Sequence, residues 1–245
     1  MLRLLGSAAM IATLAAPALQ AQSQPLETEQ WQEIRGFLER NPGVVDQLEA
    51  AMARELSPDQ AAQDAAFIAD QADTLYEDPL SPVLGNPDGE VLVVKFSDFR
   101  CPHCRSVTPE LEQLVEGDDR VKLIVKELPI LGDASVEAAK FALAAYDLGG
   151  SEAYDRVQEA LFENQRARIT GYFLEDLAET AGLDPRAVIE RMDSDAIEEH
   201  LEANRDLAEG LKISGTPAIL VGDVVVRGAA PVEALRKGVS EVYGD

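Results

Sequence analysis

The 245-residue chain has few of the residue types on which several common functions depend. Its two cysteines are too few for a disulfide-stapled scaffold, and only together with both histidines would they supply the four ligands of a structural zinc site. Lysine and arginine number 21 against 45 acids, for a formal net charge of −24. A field of this sign repels nucleic acid and anionic lipid, so neither is expected as a partner.

Long apolar runs are also missing. After residue 21 no stretch approaches the roughly 18 apolar residues of a transmembrane helix. Residues 1–21 carry one early cation, Arg3, then a short apolar run and small residues before Gln22. This layout is typical of a cleaved secretory signal peptide, and an uncleaved membrane anchor is the alternative. Export would place the two cysteines where disulfides persist.

Residues 27–78 have a helical pattern with prolines where new helices begin, at Pro42 and Pro58. A short apolar seam with heptad spacing follows Pro58: Ala61, Ala65, Ile68, Ala72 and Leu75. A narrow stripe on a polar helix favours self-association, so we predict an oligomerisation segment. The alternative is a helix that lies on its own catalytic domain.

Residues 81–245 have an α/β pattern. An apolar strand in EVLVVKFSDF precedes a helix at 101–116, and RVKLIVKELPIL predicts a second strand. A helical block of about 133–213 follows, then TPAILVGDVVVRG, a hairpin that turns at Gly222-Asp223, and a last helix from Pro231. Residues 77–90, rich in proline and glycine, are interpreted as a linker with turns.

Both cysteines lie in FSDFRCPHCRSVTPEL, as Cys101 and Cys104. A zinc site is disfavoured because His103 lies inside the loop between the cysteines, and because His200, on a polar helix, is interpreted as a surface residue. A structural disulfide is disfavoured because a bridge around two residues removes little entropy from the unfolded chain. Cu(I), which accepts two thiolates, stays open as a minor alternative at Cys101 and Cys104.

A redox-active pair explains the neighbouring residues best. Cys101 follows a buried strand and opens a helix, where unpaired N–H groups and the helix dipole favour a thiolate. Pro102 has no N–H to lose in the first turn, and His103 can add positive charge or a hydrogen bond beside Cys101. Stabilising the reduced, ionised form makes the disulfide a stronger oxidant, by roughly 30 mV per 1.4 kcal/mol. Cys104, one turn on, is expected to be shielded and to attack mixed disulfides.

With its CPHC motif after an apolar strand and GTPA at 215–218, the chain resembles the DsbA family of thioredoxin-fold disulfide oxidoreductases over 81–245. The resemblance implies an α/β thioredoxin fold with a large α-helical insertion. It also implies a cis peptide bond at Pro217, with Thr216 and Pro217 against the active site where they hold substrate backbone. Pro109 matches the proline that kinks the active-site helix of this fold. No metal or organic cofactor is required.

The N-terminal part, with NPGVVDQLEAAM and DPLSPVLGNPDG, is similar to ScsC-type proteins, which are linked to copper tolerance and include oligomeric disulfide-shuffling members. The resemblance implies cysteine-containing exported proteins as substrates, a periplasmic location, and a membrane redox partner of DsbB or DsbD type. It also keeps open an oligomer formed through residues 27–78.

The chain departs from the family at Lys95, six residues before Cys101, where thioredoxin-fold enzymes usually carry a buried carboxylate. We take Lys95 as a candidate proton relay, because a desolvated lysine drops in pKa, or as a cation that favours the Cys104 thiolate. The alternative is a lysine that reaches solvent at the sheet edge or pairs with Glu127. Lys126 matches the lysine that accompanies the family's buried acid and is the second relay candidate.

The function predicted from the sequence is thiol–disulfide exchange on exported proteins, with net oxidation favoured by CPHC. A ScsC-type isomerase or reductase is the alternative within the class. A Cu(I)-binding copper-tolerance protein and a holdase or scaffold that uses the N-terminal helices are the alternatives outside it.

Overall fold

The computed structural model describes residues 36–37 and 58–244 of the chain. The strands of the described part are β1 (Val83–Gly85), β2 (Val91–Ser97), β3 (Val121–Glu127), β4 (Ala218–Val221) and β5 (Val224–Arg227). Its helices are α1 (Pro58–Asp70), α2 (Ala72–Tyr76), α3 (Pro102–Gly117), α4 (Asp133–Glu163), α5 (Gly171–Thr180), α6 (Pro185–Met192), α7 (Asp195–Gly210) and α8 (Val232–Tyr243). The expected signal peptide and most of the helical segment expected at 27–57 lie outside the described residues.

The five strands form one sheet in the order β1-β3-β2-β4-β5. The central strands β2 and β3 are parallel, with Lys95 opposite Val125 and Ser97 opposite Glu127. The other pairs, β1 with β3, β2 with β4 and β4 with β5, are antiparallel. Parallel neighbours need a crossover connection, which α3 provides, and the residues after β2 therefore lead directly into the amino-terminal end of α3.

Helices cover both faces of the sheet, because alternate residues of its central strands are apolar on each side. On one face Val91 and Val93 of β2 pack with apolar residues of α3 and α8. On the other face Val94 and Phe96 belong to a cluster that includes residues of α1, α2 and α7. This arrangement buries β2 completely except for Leu92, so every polar side chain on it needs a partner inside the protein.

The insertion α4–α7 has its own apolar core, which extends to the active-site turn through Phe99, Cys101 and Cys104. Helix α4 is interrupted at Gly150, whose φ of 70° and ψ of −164° are not helical. The parts of α4 before and after Gly150 are therefore two separate helical stretches within the expected helical block. No helix among the described residues combines the length and the apolar character needed to cross a bilayer.

The sequence missed one strand. The segment 77–90 was interpreted as linker and turns, but Val83–Gly85 pairs antiparallel with β3 as β1. Three residues between prolines and glycines are too few to show a period, and their pairing with β3 decides their structure.

The apolar seam of α1 and α2 lies partly against its own domain, the alternative named above, while Ala61 at its start is exposed. Self-association through residues 27–78 stays a prediction. Ile68 is 4% exposed and Leu75 is fully buried, both in the cluster against the sheet of their own domain. Tyr76 adds a hydrogen bond from its hydroxyl to the Gly222 carbonyl at 3.3 Å. A stripe of alanines fits close against a sheet as well as against another helix, and the rest of segment 27–78 lies outside the described residues.

Helix α1 approaches α7 closely at Gly210. The Phe67 ring of α1 lies where a Cβ at Gly210 would be, only 2.1 Å from the nearest ring atom. We expect Gly210→Ala to destabilise the protein by about 1–3 kcal/mol, because the ring must move out of a packed interface. Chemical denaturation measures the change. Gly171→Ala is the control, since no atom lies within 4 Å of its added Cβ, and it should cost nothing.

Candidate active site

Cys101 lies at the junction of β2 and α3, where it is the N-cap residue with extended backbone angles (φ −83°, ψ 118°) and Pro102 follows as the first helical residue. Its thiol donates a hydrogen bond to the Thr216 carbonyl at 3.1 Å. Only 5% of Cys101 is exposed, whereas the side chains of Pro102 and His103 are open to solvent. Cys101 therefore lies just beneath the surface, at the positive end of the helix dipole.

Cys104, one turn into α3, has a different environment. It is fully buried, and its sulfur accepts a hydrogen bond from the Asp98 N–H at 3.5 Å. Burial raises the pKa of the Cys104 thiol to about 12, although the Asp98 N–H acts in the opposite direction. The two sulfurs are therefore inequivalent: solvent reaches one of them, and the other is held as a buried thiol.

The loop before β4 completes the surface around Cys101. The Thr216–Pro217 peptide bond is cis, as the family resemblance implied. Pro217 is buried, while Thr216 is half-buried with its carbonyl against the Cys101 sulfur.

Lys95 of β2 lies within the core beneath the cysteines, only 1% exposed. Its ammonium donates to Thr108 Oγ1 at 2.8 Å and lies 5.2 Å from the centroid of the Phe162 ring. Thr108 in turn donates to the Cys104 carbonyl at 2.9 Å, so the lysine is one residue removed from the Cys104 backbone. Burial lowers the pKa of Lys95, and nearby acidic groups, with Cys104 the strongest, oppose this. The alternative of a lysine that reaches solvent at the sheet edge is wrong, because β2 is a central strand.

Glu127 is the site residue that sequence reasoning considered only as a salt-bridge partner of Lys95. It ends β3 on the same face of the sheet as Lys95, diagonally across the parallel pair. Its side chain is fully buried, with Oε1 accepting from the Tyr154 hydroxyl at 2.5 Å and Oε2 without a hydrogen-bond partner. Burial raises the pKa of Glu127 to about 8, against the opposing effects of Tyr154 and Lys95.

The family usually carries a buried acid at the position of Lys95 on β2 and a lysine on the neighbouring strand. This chain has the lysine on β2 and the acid, Glu127, on β3. Their pKa values are shifted by burial in opposite directions and so approach each other. A proton therefore moves between the two groups at a lower cost than between an exposed lysine and an exposed glutamate.

Asp98, which the sequence analysis did not select, fixes the loop on the other side of the cysteines. It is 1% exposed. Its Oδ1 accepts from the Arg100 N–H at 2.8 Å, and its Oδ2 accepts from the N–H groups of Ile130 and Leu131 at 2.8 and 3.0 Å. The exposed Ile130 and Leu131 are thereby held near the active-site turn.

Comparison with known proteins agrees with this geometry. A family model described as Thioredoxin matches residues 77–241. The chain belongs to the thioredoxin family. Disulfide bond formation protein D of Bacillus subtilis is 27% identical over 169 residues, which cover 65% of this chain and 76% of that protein.

Two solved structures extend the comparison. The thiol-disulfide exchange protein alpha-DsbA2 from Wolbachia pipientis is 30% identical, with a TM-score of 0.69 over 76% of this chain and 99% of that one. The catalytic domain of Proteus mirabilis ScsC is 28% identical, with a TM-score of 0.64 over 72% and 97%. The protein is therefore a thiol:disulfide oxidoreductase of the DsbA and ScsC type with a thioredoxin fold, as predicted.

Lys126, the second relay candidate, is not part of this thioredoxin-family site. It alternates with Glu127 along β3 and points to the opposite face, where its ammonium donates to the Thr74 carbonyl at 2.6 Å and to Ser81 Oγ at 2.7 Å. Burial lowers the pKa of Lys126 to about 8, although Asp78 opposes this. The proton-relay prediction for Lys126 is therefore wrong: its ammonium fastens the segment before β1 to the sheet.

His200 is also not the surface residue that was expected. It is 5% exposed on α7, with Nδ1 at 2.9 Å from Asp78 Oδ2 and Nε2 at 3.1 Å from the Asn204 amide. Burial acts to raise the pKa of Asp78, yet hydrogen bonding and charge from His200, with smaller contributions from other donors, hold it well below its usual range. Within the described residues no group of three or more His, Cys, Asp or Glu side chains is placed to hold a metal ion.

Proposed function

We propose that the protein oxidises cysteine-containing exported proteins by passing them the Cys101–Cys104 disulfide. The observation that carries this proposal is the asymmetry of the two sulfurs: Cys101 lies at the surface end of α3 against the Thr216 carbonyl, and Cys104 is fully buried behind it. In this function Cys101 is the residue attacked, Pro102 and His103 shape its exposed side, and Thr216 and Pro217 receive the substrate backbone.

The exchange balances in two displacements. A substrate thiolate attacks the Cys101 sulfur, the Cys101–Cys104 bond breaks, and Cys104 leaves as a thiolate that takes up one proton. A second substrate thiolate then attacks the substrate sulfur of the mixed disulfide and releases Cys101 as a thiolate. Two electrons have moved from the substrate dithiol to the enzyme, and the substrate has gained the disulfide.

Lys95 and Glu127 are proposed to handle the proton at Cys104. A thiolate that forms in the core next to a neutral pair would be a net buried charge, which is costly. With Lys95 as ammonium and Glu127 as carboxylate, the Cys104 thiol passes its proton to Glu127. Cys104 is then a thiolate, Lys95 still an ammonium and Glu127 a carboxylic acid, so the net charge of the three groups is zero before and after the transfer. The same steps run in reverse when Cys104 leaves.

We further propose that residues 1–21 direct the chain to the periplasm and that a membrane redox partner of DsbB type restores the disulfide. A DsbD-type partner would serve the reductive direction. Support for export comes from the signal-peptide pattern, and support for the oxidative direction from the CPHC motif. An oligomer formed through residues 27–78 is a separate proposal, although Ile68 and Leu75 of the α1–α2 seam pack within their own domain.

The reduction potential of the Cys101–Cys104 pair tests the direction of exchange. Equilibration in glutathione buffers, with the redox state read by thiol alkylation, is expected to give a value near the DsbA figure of about −120 mV. A value of about −200 mV or lower would contradict the oxidase proposal and favour a ScsC-type isomerase or reductase. If no disulfide formed across the range, the redox function would be wrong and Cu(I) binding at the two thiolates would take its place.

A further inference from the structure

The loop between α4 and α5, residues 164–170, is fastened to the active-site turn. The Gln165 side chain donates to the Phe99 carbonyl at 2.9 Å and to the Cys101 carbonyl at 2.7 Å. Arg100 donates from its guanidinium to the Ala167 carbonyl at 2.8 Å. Three hydrogen bonds thus fix the loop at Gln165 and Ala167. They hold the neighbouring residues 166 and 168 near Cys101.

The loop presents positive charge there. Arg166 lies between the two tethered residues and Arg168 follows the second, and both side chains are exposed. The active-site turn adds Arg100 and the exposed Arg105. We call these four arginines the basic rim.

The basic rim outnumbers the exposed acids of the surrounding segments. The Cys101 turn and the segments joined to it by the hydrogen bonds described above contain no aspartate or glutamate: 99–105, 128–132, 164–170 and 213–219. Acids stand at their ends, where Asp98 and Glu127 are buried, and Asp133 and Glu163 are exposed. The protein is strongly acidic overall and locally basic around its reactive sulfur.

We propose that the basic rim selects cysteines that are flanked by acidic residues in the reduced polypeptide substrate. The inference rests on the proposed disulfide exchange. A cysteine that reacts with Cys101 brings its chain neighbours within a few residues, each about 3.3–3.6 Å of extended chain, into range of the rim. At 0.1 M ionic strength the Debye length is about 10 Å, so the rim acts on these neighbours while more distant acids of the protein are screened.

Two peptides test the selection, identical except for two glutamates or two lysines beside a pair of cysteines. Each is mixed with the oxidised full-length protein, and its oxidation rate is divided by its own rate with uncharged 2-hydroxyethyl disulfide, which removes differences in thiol acidity. At 0.1 M ionic strength the acidic peptide is expected to react about fivefold to tenfold faster. At 1 M, where the Debye length is about 3 Å, the ratio should approach one.

Matched variants assign the effect to the rim. Arg166→Gln/Arg168→Gln should reduce the ratio to below about twofold, because the rim loses its loop charges. Arg186→Gln/Arg205→Gln removes the same charge from exposed positions outside the four segments and should leave the ratio unchanged. Rates with uncharged dithiothreitol should be equal in all three proteins.

The outcomes separate the two proposals. If the protein oxidises both peptides at equal normalised rates, or if the two double variants lower the ratio alike, the basic rim does not select substrates while disulfide exchange stands. If neither peptide is oxidised, the proposed function is wrong and the selection falls with it.

Discussion

In the reduced protein, iodoacetamide is expected to modify Cys101 more than about a hundredfold faster than Cys104 at pH 7. The thiolate is the reactive form. Burial raises the pKa of Cys104 from an ordinary 9.0 to about 12, which makes its thiolate fraction about a thousandfold smaller than it would be at the ordinary value. Because Cys104 is also fully buried, the reagent reaches it only after local opening. Quenched reactions followed by peptide mass spectrometry give both rates.

Single substitutions separate the roles. Cys101→Ser should lose all exchange activity and retain one slowly alkylated thiol. Cys104→Ser should keep the fast thiol and, mixed with a substrate that already carries a disulfide, accumulate the mixed disulfide that Cys101 forms by attacking it, since no second enzyme sulfur is present to resolve it. Non-reducing electrophoresis detects these adducts. Equal alkylation rates, or adducts that accumulate on Cys101→Ser instead, would reverse the assignment of the two cysteines.

Much of the architecture followed from local sequence signals. The valine-rich runs, the Gly222-Asp223 turn and the proline at the start of α3 each determine a local backbone conformation, and the structure has all of them. The cysteine pair could be assigned as redox-active because its spacing and its position after a buried strand are both local.

Local signals are insufficient where tertiary contacts decide. The α1–α2 seam has the same spacing whether it meets a second helix or its own sheet, so the contacts of Ile68 and Leu75 with the sheet did not follow from the spacing. His200 is one histidine among acids on α7, and its burial depends on Asp78, more than a hundred residues earlier. Lys126 matched a family position by its distance from Cys101, but strand alternation turned it to the opposite face.

The buried pair was half predicted. Lys95 was recognised as unusual because an apolar strand surrounds it and because a carboxylate is expected at its place. Glu127 became its partner only through the parallel register of β2 and β3, which sets Ser97 opposite Glu127. That register is a long-range property, so one strand alone could not reveal it.

Lys95→Met is expected to slow the attack of Cys104 on a mixed disulfide by about a hundredfold at pH 7, because Glu127 without the nearby ammonium keeps its own proton and no longer accepts that of Cys104. The reagent 5,5′-dithiobis(2-nitrobenzoate) isolates this step. Cys101 releases one thionitrobenzoate as it forms the mixed disulfide, and Cys104 releases the second as it attacks the Cys101 sulfur. Only the second release requires a proton to leave Cys104, so the first should keep its rate and serve as the internal control.

Glu127→Gln is the informative partner variant. This variant leaves Lys95 buried without the nearby carboxylate, which lowers the pKa of Lys95 further. In a larger fraction of molecules Lys95 is then an uncharged amine that can accept the Cys104 proton directly. The second release should then stay within about tenfold of the wild-type rate at pH 8. It should fall as the pH drops and the lysine takes its proton from solvent instead.

The pH dependence of the free energy of unfolding tests Lys95 and Glu127 independently of the kinetics. In Lys95→Met the buried Glu127 keeps its proton above the ordinary 4.5, and its pKa rises further because Lys95 no longer lowers it. The unfolded state then binds fewer protons, so stability falls as the pH rises from 4.5 to beyond about 8. In Glu127→Gln the buried Lys95 loses its proton below the ordinary 10.5, so stability falls as the pH drops from that value. Each slope reaches at most about 1.4 kcal/mol per pH unit. Slopes of the same sign, or an equal slowing of both releases in Lys95→Met, would show that the two residues do not share a proton at Cys104.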